Sequence, residues 1–214
     1  MAYMIGVVSQ KGGVGKSTLA RALAVAYARA GWSVKVADLD INQGTSFEWQ
    51  KRRLQAEIEP VVPVEVFATV TQARRVEAHH DLLIFDGAPH ATQGTVEIAK
   101  TAGMVILPTG LSLDDLLPTV LLANTLVSKH GVPIERLAIA LSRAGESTRE
   151  LDDARAYLAG TPYHILAGHL QEKTAFRLAQ DEGRAVIECK WQRPREQAEQ
   201  MVDAIISRFE FLTN

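Results

Sequence analysis

The chain has 214 residues, of which 25 are acidic and 23 are lysine or arginine, giving a formal net charge of −2. That balance excludes the overall basic signature of a dedicated nucleic-acid binder, so any DNA contact must come from a local patch. The length suits one α/β domain with a sizeable core, and no apolar run approaches the ~18 residues that would suggest a membrane span.

The segment Met1 to Ser9 lacks a basic start and does not read as a signal peptide. Within it, Tyr3 to Ser9 is apolar and β-branched and predicts a buried strand. The run Gln10-Lys11-Gly12-Gly13-Val14-Gly15-Lys16-Ser17-Thr18 follows, and Leu19 to Ala30 is alanine-rich and predicts a helix. Strand, glycine loop and helix together make a phosphate-binding loop. Its glycines let the backbone approach a polyphosphate, and the helix start supplies N–H groups and a favourable dipole. Lys16 can reach the β- and γ-phosphates of a nucleotide, and Ser17 offers a hydroxyl to Mg²⁺.

Gly31 ends that helix, and Trp32 to Asp38 reads as a second strand. If the strand persists, Asp38 and Asp40 lie on the same side of it. Asp38 reads equally as a site carboxylate and as a satisfied hydrogen-bonding residue of the sheet. Thr45 to Glu57 predicts a helix packed through Phe47, Trp49 and Leu54. Val61 to Val66, with Pro63, suggests an edge strand, and a short helix covers Thr71 to Ala78. The pair His79-His80 reads as exposed rather than metal-ligating. Asp81 to Phe85 is a strand ending at Asp86, in Leu82-Leu83-Ile84-Phe85-Asp86-Gly87-Ala88-Pro89. A carboxylate there can hold the hydration shell of Mg²⁺. Thr92 to Thr101 is helical, Met104 to Leu107 is a strand stopped by Pro108, and Leu113 to Lys129 is a long helix containing Pro118. Asp114 and Asp115 read as first-turn acids favoured by the helix dipole. Leu137 to Leu141 and His164 to Ala167 are strands. Ser147 to Ala159, Lys173 to Glu182 and Pro194 to Phe211 are helices. Regular alternation predicts a single α/β domain over residues 1–214, a mostly parallel twisted sheet with helices on both faces and a ligand at the carboxyl ends of its strands.

The loop departs from the common G-x-x-x-x-G-K-[ST] pattern, with Gln10 at the first glycine position and Lys11 beside it. It resembles the deviant Walker A loop of the ParA/MinD superfamily, K-G-G-x-x-K-[ST], and the resemblance follows the order of elements along nearly the whole chain. It implies a P-loop ATPase that uses ATP/ADP and Mg²⁺ and dimerises on ATP. Lys11 would act in trans on the partner's phosphates, comparably to an arginine finger. Asp40, matching the second aspartate of D-x-D, would help orient the attacking water, and Ser17, Asp40 and Asp86 would form the metal side. The expected Pro-Gln-Gly is replaced by Ile41-Asn42-Gln43-Gly44, which lacks the proline and carries one residue more. A Pro-x-x-x-x-x-Asp stretch like Pro108 to Asp114 lies at the switch and dimer face of such proteins. The adenine contacts are expected near Ser142-Arg143 and Gly168.

The superfamily implies a cytoplasmic, nucleoid-associated partition or positioning ATPase. It would bind DNA non-specifically and be stimulated by a ParB-like centromere-binding or adaptor protein. Lys173, Arg177, Arg184, Lys190, Arg193 and Arg195 are the candidate DNA-phosphate contacts, with steep salt dependence. The loop begins near residue 10, which leaves no room in this sequence for an N-terminal helix-turn-helix. The alternative is a MinD-type membrane-cycling or protein-cluster-positioning ATPase. The terminal segment Met201 to Leu212 has apolar residues at helical spacing but only Arg208 as a base, so it reads as a helix packed on the core rather than an anchor. A ligase of the dethiobiotin synthetase kind is a third class, and Lys11 argues against it. The single cysteine, Cys189, suits a reducing compartment. It also excludes the paired cysteines by which the nitrogenase iron protein, a relative of this superfamily, holds its cluster.

Overall fold

A computed structural model describes residues 2–89 and 93–214. Seven strands form one all-parallel sheet in the order β3-β2-β4-β1-β5-β6-β7. They are β1 (Tyr3–Ser9), β2 (Val34–Asp38), β3 (Val64–Val66), β4 (Leu82–Pro89), β5 (Met104–Thr109), β6 (Leu137–Leu141) and β7 (His164–Ile165). The interior strands are largely apolar, as expected when both faces are covered, with Lys35, Asp38 and Asp86 as the charged residues of β2 and β4. Alternate side chains of β1 feed two separate cores. Ile5 and Val7 pack with α1 (Lys16–Arg29) and α8 (Gln192–Thr213), while Met4 and Val8 pack with α4 (Gln93–Thr101) and α5 (Leu113–His130). The remaining helices are α2 (Thr45–Gln55), α3 (Val70–Ala73), α6 (Thr148–Ala159) and α7 (Thr174–Asp181).

Most expected elements are present, and the differences have local causes. The second strand starts at Val34 rather than Trp32, because Gly31 takes φ 87° and Trp32 folds back, its N–H on the Tyr27 carbonyl. Pro108 does not stop its strand. β5 continues to Thr109, and β1 pairs with it only as far as Ile106, so the missing N–H of Pro108 lies beyond that ladder. The expected helix over 71–78 is one α-turn followed by 3₁₀ structure at Arg74–His79. Leu54 is half exposed, and the buried residue on that part of α2 is Arg53. Thr92, the expected first residue of α4, lies outside the described residues, as does His90. Ser147 caps α6 through its hydroxyl, which accepts the Glu150 N–H at 3.2 Å.

β1 lies at the centre of the sheet, between β4 and β5. The chain runs from it to β2 and β3 on one side and later crosses over it, from β4 to β5, to the other, and the loop at its carboxyl end opens into the crevice where such sheets bind ligands.

Candidate nucleotide-binding site

The loop between β1 and α1 needs left-handed backbone at Gly13 (φ 74°) and Gly15 (φ 95°), and Gly15 is the cap residue of α1. Val14 is buried behind the loop, and its carbonyl accepts the Ser142 hydroxyl. A cavity of about 310 Å³ opens above the loop, bounded by Gly12, Lys16 and Ser17 on one side and by Asp40, Thr45 and Asp86 on the other. Lys16 is buried, with its Nζ donating to the Lys11 carbonyl at 3.3 Å. Burial lowers its pKa, against the pull of Asp86 and Asp40. The Thr18 hydroxyl donates to Gln180 Oε1 at 3.2 Å, tying α1 to α7.

The carboxylates divide the work differently from the sequence expectation. The strand carrying Asp38 ends there, so Asp38 and Asp40 do not share a strand face. Asp38 is buried and spends its oxygens on backbone. Oδ2 accepts from the N–H groups of Ser46 (3.0 Å) and Phe47 (3.3 Å), at the start of α2, and Oδ1 accepts from Asp40 N–H (3.1 Å). Burial, together with the charge of Asp86, raises its pKa to about 6 against these bonds. Asp40 lines the cavity, and its Oδ1 accepts from the N–H groups of Asn42 and Gln43, which shapes the loop carrying the extra residue.

Asp86 follows the fully buried Leu82 to Phe85 of β4 and is itself buried. Its Oδ2 accepts the Ser46 hydroxyl at 2.6 Å, whereas its Oδ1 is buried with no hydrogen-bond partner among the described residues. Burial raises its pKa, opposed by Ser46, Arg21, Ser17 and Lys16. An orphaned carboxylate oxygen is costly unless something meets it. Nearby, the hydroxyls of Ser17 and Thr45 converge at 3.1 Å. An all-oxygen donor set of this kind fits a hard cation that keeps several waters. Among the described residues no three His, Cys, Asp or Glu side chains converge as a metal cage, so the set suits Mg²⁺ brought with phosphates.

Lys11 is half-buried at the mouth, and its ammonium pairs with Asp115 Oδ1 at 2.8 Å. Asp115 also accepts the Ser112 hydroxyl at 3.0 Å. Its pKa is lowered, as the Lys11 and Ser112 bonds and the Lys11 and Arg143 charges outweigh burial. Asp115 does stand in the first turn of α5, as expected, but it also holds Lys11 within the same chain.

A second cleft of about 140 Å³ adjoins the loop at Gly13 and Thr18, with Ser142, Arg143, Leu170 and Phe176 in its walls. Ser142 and Arg143, two of the residues expected on the adenine side, line this cleft. Gly168 lies outside it, against the backbone of Met201.

The six candidate DNA contacts lie along α7, the following turn and the start of α8. Five pair with carboxylates of the same chain: Lys173 with Glu146, Arg177 with Glu172, Arg184 and Lys190 with Glu182, and Arg195 with Glu199. Arg193 is exposed. Thr45, Ser46 and Gln180, and Arg21 beside the cavity, were not singled out for the site by the sequence, whereas Asp115 was read there as a first-turn acid. Only Arg21 left a signal, a single charge inside the otherwise apolar run Leu19 to Tyr27.

A family model, the CobQ/CobB/MinD/ParA nucleotide binding domain, matches residues 5–186. The chain belongs to this family. Several solved structures resemble the chain. The cell division ATPase MinD of Pyrococcus furiosus superposes with a TM-score of 0.73 at 18% identity, covering 97% of this chain and 99% of that one. Apo McdA of Cyanothece gives 0.73 at 16% identity over 96% and 100% of the two chains. A putative plasmid partition protein of Borrelia burgdorferi, bound to AMPPNP, gives 0.69 at 14% identity over 97% and 100%. At these identities the superpositions show the shared fold. Comparison with curated proteins gives no match.

Proposed function

We propose that this member of the MinD/ParA family is an ATP hydrolase that works as a dimerising switch and positions or partitions a cargo. The observation that carries this reading is the placement of two lysines. Lys16 points into the cavity, while the ammonium of Lys11 stands outside it on the rim, held by Asp115. A cation on the rim does nothing for its own nucleotide but can meet the phosphates of a second copy docked face to face. In that arrangement the loop N–H groups and Lys16 bind the β- and γ-phosphates. Asp40 positions the attacking water, and Lys11 supplies charge to the neighbour's transition state. Ser17, with Asp40 and Asp86, would hold Mg²⁺, which offsets phosphate charge when bound.

The cargo reading is plasmid or chromosome DNA, with non-specific DNA as the matrix and a ParB-like or adaptor protein as the stimulating partner. Five of the six candidate cations already face carboxylates. Exposed ion pairs are worth about 0–1 kcal/mol each, so phosphates can compete for them, but only at modest salt. A second reading, positioning of protein clusters on another surface, draws support from this same neutralised patch. Among the described residues no helix is long and apolar enough to cross a membrane.

Sizing chromatography tests the switch, with a dimer expected in ATP and Mg²⁺ and a monomer in ADP. Co-sedimentation with DNA at two salt concentrations tests the matrix. ATP-dependent, salt-sensitive pelleting supports DNA. No pelleting by an ATP dimer removes it, and a monomer under all conditions removes the switch.

A further inference from the structure

Arg21 is an unusual occupant of its position. It lies five residues beyond Lys16 on α1, is 6% exposed, and borders the nucleotide cavity from below. Its Nε donates to Ser46 Oγ at 3.0 Å, and its Nη1 donates to Gln180 Oε1 at 3.2 Å. The guanidinium carbon sits 5.7 Å from the ring centre of Trp49, which is fully buried. The nucleotide-site reading assigns it no role.

The donor inventory fixes what it does. A serine hydroxyl has one proton, and an arginine can only donate. Because Arg21 occupies an acceptor position of Ser46 Oγ, the proton of that hydroxyl is directed away from it. The carboxylate at 2.6 Å, Asp86 Oδ2, receives it. The backbone of Ser46 is itself held, its N–H bound to Asp38. The chain Arg21 to Ser46 to Asp86 therefore locks one oxygen of Asp86 and leaves the other, Oδ1, without a hydrogen-bond partner among the described residues, beside the cavity that Ser17 and Thr45 also line. Gln180 and the indole of Trp49 flank the guanidinium, whose planar fork reaches Ser46 and Gln180 at once, a placement the point charge of a lysine does not reproduce.

We infer that Arg21 is a positioning residue for the metal side of the site, acting through Ser46 to aim Asp86 at the hydration shell of a divalent cation. The inference rests on the reading of this cavity as a nucleotide–Mg²⁺ site. It has a sharp electrostatic competitor. Arg21 is a cation facing the same carboxylate, so if it served only to balance charge, its removal would strengthen Mg²⁺ binding. If it positions Asp86, removal weakens it.

The test titrates Mg²⁺ into the full chain with a fluorescent ATP analogue and compares it with binding in EDTA. For Arg21→Met, nucleotide binding in EDTA is expected to stay close to wild type, while the Mg²⁺ concentration for half-maximal effect rises roughly tenfold, the usual size for loss of an outer-shell partner. Ser46→Ala is expected to give the same shift, and the double variant no more than either alone, since the two act in one chain. An unchanged or lowered Mg²⁺ requirement in Arg21→Met overturns the inference. Should Arg21→Met fail to fold, judged by its circular dichroism, Ser46→Ala decides alone, and a normal Mg²⁺ requirement there overturns it equally. A wild-type chain that binds no nucleotide with or without Mg²⁺ would instead overturn the underlying site reading. Wild-type binding with unaffected variants sinks only the role of Arg21.

Discussion

Two side chains carry most of the residue-scale argument. Lys11 lies on the rim, and its only ion-pair partner among the described residues is Asp115. Replacing it with alanine is expected to leave ATP affinity within about threefold of wild type, because Lys16 and the loop amides hold the phosphates. Partner-stimulated turnover is expected to fall by roughly a thousandfold, the scale of a lost arginine finger. Single-turnover hydrolysis with a mixed dimer, one copy carrying Lys11→Ala and the other Asp40→Ala, reports which copy it serves, since only a lysine acting on the neighbour's nucleotide leaves one complete site. Asp38 behaves differently. Its folded-state pKa of about 6 lies above its ordinary 3.8, so between those values the native chain holds a proton there that the unfolded chain has released. Its contribution to stability is therefore fully present below about 4 and is lost as pH rises through about 6. Asp38→Asn is expected to flatten that slope. Denaturant midpoints of both chains at pH 4.5 and 6.5 check it, and parallel slopes would contradict it.

At the scale of elements, α2 is clamped to the C-terminal third. Arg53 is buried and forms a two-point contact with Glu188 at 2.6 and 3.0 Å, and also donates to the carbonyls of Pro60 and Gly183. Trp49 donates to the Arg184 carbonyl at 3.1 Å. Arg53→Leu leaves Glu188 with Arg29 and the Ala185 N–H as partners. The cost is expected to be about 3 kcal/mol, as for other broken buried pairs, read from urea unfolding. A loss under 1 kcal/mol would show that Arg29 suffices. This clamp was illegible in the sequence. Periodicity marks apolar faces, and it placed Leu54 inward where Arg53 goes. An arginine buried by partners more than a hundred positions away leaves no local pattern. The strand–loop–helix start, the alternation and most element positions were legible, because each depends on residues adjacent in the chain. Asp86 was legible for the same reason, as an acid after an apolar strand, whereas Ser46 and Arg21 became its neighbours only through the packing of α2 on α1.

For the molecule as a whole, the central expectation is that nucleotide state and subunit number move together. Asp40→Ala is expected to hold the ATP-bound dimer, since the proposed water-orienting carboxylate is gone while the phosphate cradle is intact. In size exclusion with light scattering, that variant is expected to remain at twice the monomer mass long after the wild type has relaxed. Equal decay of the two would argue that the extra residue after Asp40 has moved the water's anchor elsewhere.

The short outer strands carry a consequence for interpreting any such assembly. β3 has three residues and β7 two, at opposite margins of the sheet. Stubs of that length offer an incoming chain only a few rungs of hydrogen bonding, too little to template growth by strand addition. Higher-mass species that appear with triphosphate can then be ascribed to the loop-bearing end of the molecule, and not to sheets zipping together along their borders.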